Sequence, residues 1–329
     1  MNSLRLKTSV RRIFQTLAIS LALGAVPAMA QHTPFSRIVT FGDSLSDTGN
    51  AYHLTGGLFP ASPPNAPGRI GNGPLWVEHL ATTLGMALQP EDQYAVAGAR
   101  SDTGNFNAML GLVQLANTGL AAQTAAYLQD SGPGGVDPDA LHTVWIGPND
   151  IFTTLTFGGN INVTVLNAVQ NTAQSVAALA SQGARHILVA NLPDLGLTPL
   201  GLSMGPAFSG QLSALTDGYN AGLTQALDAL DNAGIPTIRL HAAGLIRDIA
   251  QDPAAFGLVN VTGAALGSGN DPDTYLFWDS VHPTSAGHQT VAGRAVEALI
   301  SFYSPRQGRG QGPGLRHSLN GLVRAAGRK

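Results

Sequence analysis

The stretch Arg37-Ile-Val-Thr-Phe-Gly-Asp-Ser-Leu-Ser-Asp-Thr-Gly-Asn50 joins an apolar strand candidate to a polar turn. Its first five residues form a short apolar run bounded by turn residues, which favours a buried β-strand. Ser44 therefore falls at the carboxyl end of a strand, where a side chain can project into an open crevice. This position makes Ser44 a candidate functional residue.

Strand and helix candidates alternate along the chain outward from this stretch. The helical candidates carry apolar residues at three- and four-residue spacing. The alternation predicts an α/β fold in which a parallel sheet is covered on both faces. The remaining strand candidates are Gln93–Ala97, Leu141–Ile146, His186–Ala190 and Thr237–Leu240, and the helical candidates are Pro74–Leu84, Leu110–Gln129, Thr164–Gln182, Gln211–Asn232 and Thr284–Phe302.

Composition excludes several classes of protein. The chain has 329 residues, of which 44% are hydrophobic and 11% charged, so it has ample material for a core and is neither a disordered chain nor a coiled coil. It has no cysteine, which excludes disulfides, zinc-thiolate sites, iron–sulfur clusters and cysteine nucleophiles.

Charge is distributed unevenly along the chain. Residues 31–305 hold seven basic residues against all 20 acidic ones, a net charge of −13, and no lysine. A nucleic-acid surface needs clustered Lys and Arg to neutralise phosphates. We therefore expect no nucleic-acid partner.

Residues 1–30 have the pattern of a signal peptide. A basic stretch precedes the apolar run 13–26, and Ala28-Met29-Ala30 matches the small-x-small pattern of a cleavage site. The prediction is an exported protein, periplasmic or extracellular, that begins at Gln31 after cleavage. Both the Sec and the twin-arginine route stay open, because Arg11-Arg12 suits either.

Residues 306–329 form a basic segment rich in Gly and Arg, which predicts a flexible tail. Two interpretations stay open: a solvated tail, or a peripheral membrane contact through attraction to anionic lipid. No segment after the signal peptide approaches 18 unbroken apolar residues, so we expect no transmembrane segment.

A second short stretch carries chemistry that matches Ser44. Trp278-Asp-Ser-Val-His-Pro-Thr284 places Asp279 three residues before His282. A serine hydroxyl becomes a good nucleophile when an imidazole takes its proton, and a carboxylate fixes the tautomer of that imidazole. One short loop can supply both groups.

In order and context these stretches resemble the GDSL, or SGNH, hydrolase family. The resemblance covers residues 41–283, whereas the Gly-x-Ser-x-Gly elbow of α/β-hydrolases does not occur. It implies a three-layer α/β/α sandwich with a flavodoxin-like parallel sheet, as one domain over residues 31–305. The matching blocks are Gly42-Asp-Ser-Leu45, Tyr94-Ala-Val-Ala-Gly-Ala-Arg100, Gly147-Pro-Asn-Asp150 and the pair Asp279 and His282.

The resemblance implies a carboxylic ester hydrolase that works without cofactor or metal. Ser44, Asp279 and His282 are then the catalytic residues, and an acyl-enzyme forms on Ser44. The oxyanion hole comprises the backbone N–H groups of Ser44 and Gly98 and the amide of Asn149, because a tetrahedral oxyanion needs donors already aimed at it. Asp43 is expected to brace the turn.

The substrate implied is a small-molecule or lipid ester. Asn72-Gly-Pro-Leu-Trp-Val-Glu-His79 resembles a segment of the secreted phospholipase, lecithinase and haemolysin branch, and the apolar loop 54–64 is a candidate acyl groove. Two alternatives stay open, a carbohydrate acetylesterase of the same fold and a non-catalytic surface-binding protein that retains it. Asn149 has the alternative reading of a turn residue, since Gly-Pro-Asn-Asp is typical of turns.

Overall fold

The computed structural model describes residues 35–304, and a parallel β-sheet lies at their centre. The strands pair in the order β1-β2-β3-β4, where β1 is Ile38–Gly42, β2 is Leu141–Trp145, β3 is His186–Ala190 and β4 is Ile238–Leu240. The signal peptide and the basic tail predicted for residues 1–30 and 306–329 lie outside the described residues.

Helices cover both faces of this sheet. Their bounds are α1 (Asn50–Leu54), α2 (Trp76–Leu84), α3 (Phe106–Met109), α4 (Leu120–Asp130), α5 (Pro148–Phe157), α6 (Ile161–Ser181), α7 (Pro199–Ser203), α8 (Pro206–Asn232), α9 (Ala242–Gln251) and α10 (Ser285–Tyr303). Helices α2, α9 and α10 pack on the face that carries Ile38 and Leu141, whereas α4, α6 and α8 pack on the face of Val39 and Val144. The predicted α/β/α sandwich is confirmed.

The predicted strand Gln93–Ala97 is wrong as a regular strand, although the segment lies beside β1. Three of its N–H groups donate to carbonyls of β1. The Nδ2 of Asn50 donates to the carbonyls of Gln93 and Ala95 at 2.7 and 2.9 Å, so a side chain takes the place of a further strand. With this segment counted second along the chain, the sheet has the flavodoxin-like order 2-1-3-4-5.

Helix boundaries differ from prediction where the chain turns. The helix predicted over Leu110–Gln129 is wrong in its first half, because Gly111 and Asn117 have φ of 110° and 58° and α4 begins only at Leu120. Helices α1, α3, α5, α7 and α9 were not predicted. Thr284 caps α10 as expected, with its Oγ1 accepting the N–H of Gly287. None of the described helices is both long and apolar enough to cross a bilayer.

The topology brings distant parts of the chain to one edge of the sheet. Gly42, at the end of β1, pairs in register with Trp145 of β2, so the segments that follow both strands emerge side by side. A small parallel pair, β5 (Asn260–Ala264) and β6 (Tyr275–Phe277), leads into the turn that precedes α10. Ligands of open parallel sheets bind at such a carboxyl edge.

Candidate active site

Ser44 lies two residues beyond β1, on a backbone that is held by a side chain from α4. The Oε1 of Gln123 accepts the N–H of Gly42 at 2.9 Å, and its Nε2 donates to the Gly42 carbonyl at 2.8 Å. Gln123 is buried, and its amide thus pairs with both polar groups of one residue. A buried, fully paired amide of this kind fixes the position of the strand end.

The structure brings Ser44, His282 and Asp279 together. The Oγ of Ser44 lies 2.8 Å from Nε2 of His282, and Nδ1 of His282 lies 2.8 and 3.0 Å from the two carboxylate oxygens of Asp279. Asp279 Oδ1 also accepts the backbone N–H groups of Val281 and His282 at 2.9 and 2.7 Å, which holds the carboxylate in the loop. With Asp279 on Nδ1, the tautomer that leaves Nε2 free to accept a proton is favoured.

Electrostatics keep Asp279 ionised. Burial favours the neutral carboxyl, but the facing imidazole of His282 and the two backbone N–H donors outweigh it, so the pKa of Asp279 lies below its ordinary value. A negative carboxylate beside the imidazole stabilises the imidazolium that would form when His282 takes a proton.

Gly98 presents its N–H group to the same site, because its peptide is held from behind. The carbonyl of Ala97 accepts from Nδ2 of Asn105 at 3.0 Å and of Asn107 at 3.3 Å. In a trans peptide the C=O and N–H point in opposite directions, so the Gly98 N–H faces away from these asparagines. Glycine is required here, since φ is +85° and an added Cβ would lie 2.5 Å from Asn107 Nδ2.

The N–H of Ser44 is oriented in the same way. The carbonyl of Asp43, on the other side of that peptide, accepts the N–H groups of Ser46 and Asp47 at 3.0 Å each. Within residues 35–304, neither the Ser44 nor the Gly98 N–H donates to another protein group. Two donors are thus left for a ligand at the strand edge.

Asn149 lies in the first turn of α5 and not in an isolated turn, because Pro148 occupies the first helical position. Its Nδ2 donates to the carbonyl of Ala99 at 3.0 Å. A primary amide carries two N–H bonds, so this contact orients the group and leaves one N–H for a ligand. The adjacent Asp150 accepts from the N–H and Oγ of Ser101 at 2.9 and 2.7 Å, which joins α5 to the Gly98 loop.

Several positioning contacts were missed in the sequence. Asp47 accepts four backbone N–H groups, three from the turn into α1 and one from Ala97 at 2.8 Å, and so joins the Ser44 turn to the Gly98 loop. The pentapeptide Ser-Asp-Thr-Gly-Asn occurs at 46–50 and again at 101–105, and both copies contact Ala97. That recurrence was the available signal, whereas Gln123 had none.

Asp43 is a buried carboxyl next to Ser44. Its Oδ1 accepts the N–H of Leu45 at 3.0 Å, so it does brace the turn, but within the described residues its buried Oδ2 has no hydrogen-bond partner. Burial raises the pKa of Asp43 to about 7, although the Leu45 N–H and the nearby His282 oppose the shift. Burial also raises the pKa of Asp150 to about 6.

The candidate catalytic residues and oxyanion donors line one cavity of about 480 Å³. Its polar wall contains Ser44, Gly98, Asn149, Asp279 and His282, and its remaining wall is mostly apolar, with Phe59, Pro60, Ile70, Phe106, Phe152, Leu195 and Val281. The predicted groove over residues 54–64 thus supplies part of this wall through Phe59, Pro60 and Ala61, whereas Leu58 does not line the cavity. A hollow of about 600 Å³ beside β4 contains none of the predicted site residues.

The described part of the chain contains no cluster of three or more His, Asp or Glu residues that could hold a metal ion. The acidic stretch Asn270-Asp-Pro-Asp273 leads into a short helical turn that Asp271 caps. His142 and His288 are buried, and burial lowers their pKa values to about 4 and about 3. Both therefore stay neutral at neutral pH.

Comparison with known proteins finds a matching family and several relatives of this chain. The profile of the family described as GDSL-like Lipase/Acylhydrolase matches residues 38–295. Phosphatidylcholine-sterol acyltransferase of Aeromonas hydrophila is 29% identical, over 84% of this chain and 94% of that protein. Esterase EstA of Pseudomonas aeruginosa is 32% identical over 86% of this chain, which spans about half (49%) of EstA. Thermolabile hemolysin of Vibrio parahaemolyticus is 23% identical, over 82% of this chain and 65% of that protein.

Proposed function

Because the chain belongs to the GDSL-like lipase/acylhydrolase family and is a carboxylic ester hydrolase, we propose that it is an exported lipase or esterase acting through an acyl-enzyme on Ser44. The observation that carries this proposal is the 2.8 Å contact between Ser44 Oγ and His282 Nε2, with Asp279 on the other ring nitrogen. Nucleophile, base and orienting group thus lie in hydrogen-bond contact.

The proposed acylation moves one proton. Ser44 Oγ attacks the ester carbonyl while His282 Nε2 takes the hydroxyl proton, and Asp279 stabilises the resulting imidazolium. The negative oxygen of the tetrahedral intermediate accepts from the N–H groups of Ser44 and Gly98 and from the amide of Asn149. When the intermediate collapses, His282 returns the proton to the leaving alcohol, and the acyl group stays on Ser44.

Deacylation repeats these steps with water. His282 Nε2 takes a proton from water, whose oxygen attacks the acyl carbonyl in the same donor site. Collapse of the second intermediate returns the proton to Ser44 Oγ and releases the carboxylic acid. Every group in the scheme is a side chain or backbone N–H of this chain, so the scheme calls for no cofactor.

We propose a lipid ester of the phospholipid type as the substrate class. The support is the largely apolar wall of the cavity, where Phe59, Phe106 and Phe152 approach the polar residues. An acyl chain gains about 0.8 kcal/mol for each buried CH₂ group, whereas an acetyl group would leave most of this wall unused. The name of the Aeromonas relative, a phosphatidylcholine-sterol acyltransferase, points the same way.

Export stays part of the proposal. We propose that residues 1–30 are a signal peptide, that residues 31–305 form the hydrolase domain and that residues 306–329 form a basic tail. The proposed destination is the periplasm or the medium. N-terminal sequencing of protein recovered outside the cytoplasm tests cleavage after Ala30.

The central experiment compares the full chain with Ser44→Ala on p-nitrophenyl esters of increasing chain length. We expect Ser44→Ala to reduce turnover to the background rate with an unchanged circular dichroism spectrum, and an exposed control, Ser181→Ala, to keep full turnover. An initial burst of p-nitrophenol and an acyl adduct on Ser44 in the mass spectrum identify the acyl-enzyme. Undiminished turnover in Ser44→Ala would overturn the assignment, and faster cleavage of acetylated xylan than of phosphatidylcholine would overturn the lipid class.

A further inference from the structure

Five segments of the described chain that are longer than 15 residues carry no Asp, Glu, Lys or Arg: residues 48–68, 103–129, 151–184, 195–216 and 253–270. The first three of these make up less than a third of residues 35–304, yet they hold nine of the twelve large apolar side chains that are exposed. The most exposed of the nine are Leu58 at 71%, Val113 at 69% and Leu110 at 57%. Apolar exposure is therefore concentrated and is not spread over the surface.

The three segments are in contact with one another. Ala51 and Phe59 of the first segment pack with Leu112 and Leu115 of the second in one apolar cluster. The second segment meets the third where the rings of Phe106 and Phe157 lie with centroids 6.2 Å apart. Contiguous exposed apolar surface marks an interaction site. We call the exposed surface of these three segments the uncharged rim.

The uncharged rim borders the cavity. Each of its segments contributes one phenylalanine to the cavity wall: Phe59 from 48–68, Phe106 from 103–129 and Phe152 from 151–184. Leu58 is adjacent in sequence to Phe59, Leu110 follows Phe106 by four residues and Leu155 follows Phe152 by three. A flat partner seated on this part of the rim would therefore lie beside the cavity.

Of the six charged residues that bound the three segments, all but Arg185 have a hydrogen-bond or ion-pair partner within residues 35–304. Arg69 forms an ion pair with Glu78, and Arg100 forms one with Asp102 at 2.7 Å. Asp150 is buried and bonded to Ser101. Arg185 apart, the rim thus offers apolar side chains without an unpaired charge from its bordering residues, while residues 31–305 as a whole carry a net charge of −13.

From these observations we propose that the uncharged rim docks on the surface of zwitterionic phospholipid, which brings the cavity next to the lipid ester. This inference rests on the proposed function and adds how the substrate is reached. A charge-free apolar surface favours insertion into a neutral interface, because no charged side chain must be desolvated. An anionic interface is disfavoured, since the acidic body of the protein is repelled from it.

Binding is measured without turnover, with the full chain carrying Ser44→Ala and sedimented with vesicles. We expect binding to phosphatidylcholine vesicles that persists in high salt and does not strengthen when phosphatidylglycerol is added. Adding Leu58→Ser, Leu110→Ser and Val113→Ser together should weaken vesicle binding by about 100-fold, because three large apolar contacts are lost. The control Val259→Ser changes a side chain that is 80% exposed, directly before β5 and outside both the rim and the cavity lining, and should bind like the parent.

Activity separates the rim from the catalytic residues. With Ser44 present, the triple variant should lose hydrolysis of phosphatidylcholine vesicles by a similar factor and keep its turnover of soluble p-nitrophenyl acetate. A single variant, Leu58→Trp, should shift its fluorescence to the blue when phosphatidylcholine vesicles are added. The binding test is independent of the test of the proposed function. If Ser44→Ala kept full turnover, the catalytic assignment would be wrong, yet the same protein could still bind vesicles through the rim.

Three results would overturn the proposal. One is undiminished vesicle binding by the triple variant. Another is binding that requires phosphatidylglycerol and disappears in salt, which would place the contact on basic residues. The third is a dimer in analytical ultracentrifugation that the triple variant converts to a monomer, which would make the rim an interface between two copies of the chain.

Discussion

Replacing Asp43 with asparagine should remove a pH-dependent loss of stability that the buried carboxyl causes. Asp43 is 1% exposed, and burial raises its pKa to about 7 from an ordinary value of 3.8. Between these two pH values the folded protein keeps the proton while the unfolded chain releases it. The free energy of unfolding contributed by this group therefore falls as pH rises from about 4 to about 7, and is constant above that.

The magnitude follows from the size of the shift. A difference of roughly 3 pH units at about 1.36 kcal/mol per unit gives about 4 kcal/mol between the two limits. The variant keeps the acceptor for the Leu45 N–H, but its new amide has buried N–H groups that cost stability equally at every pH. The informative quantity is thus how the stability difference between variant and parent changes with pH.

The assay is urea denaturation of both proteins from about pH 4 to about pH 8. The parent's curve alone does not isolate Asp43, because Asp150 has a raised pKa as well, and the lowered pKa values of His142 and His288 make stability rise with pH. We expect the variant to gain about 4 kcal/mol relative to the parent across this range. The exposed control Asp139→Asn should not reproduce this gain. A stability difference between Asp43→Asn and the parent that does not change with pH would refute the reasoning.

Two further predictions concern the donors of the oxyanion site. Asn149→Ala should lower kcat/KM for p-nitrophenyl butyrate by about 100- to 1000-fold with little change in thermal stability, and near-normal turnover would remove Asn149 from the donor set. Gly98→Ala should abolish turnover, because its Cβ would lie 2.5 Å from Asn107 Nδ2; Gly85→Ala, with φ of +70° and no atom within 4 Å, is the matched control for backbone strain alone and should stay active.

The candidate site was predictable because its parts are local and the topology is restrictive. Ser44 directly follows a strand, and Asp279 and His282 share one short turn, so each fragment is readable from its neighbours. A parallel sheet then puts the ends of its strands on one edge, which leaves few places for the fragments to meet. The observed contact between Ser44 and His282 agrees with that reasoning.

Other features were unpredictable because they depend on partners far along the chain. Segment 93–97 has the composition of a strand, but its carbonyls at Gln93 and Ala95 accept hydrogen bonds from the side chain of Asn50 and not from a neighbouring strand. Gly-Pro-Asn-Asp left a turn open as the alternative for Asn149, whereas Pro148 begins α5, since turn and helix start use the same residues. Gln123 contacts Gly42 across 81 residues, and no pattern within α4 marks that contact.

The span between Ser44 and His282 has a consequence for when the protein becomes reactive. These residues are 238 positions apart, and the imidazole enters the site only after β6 and α10 have docked. A growing polypeptide that has already folded its first strand still lacks a proton acceptor for the hydroxyl. The nascent chain therefore cannot hydrolyse nearby esters through Ser44 until nearly all of its sheet and helices have folded.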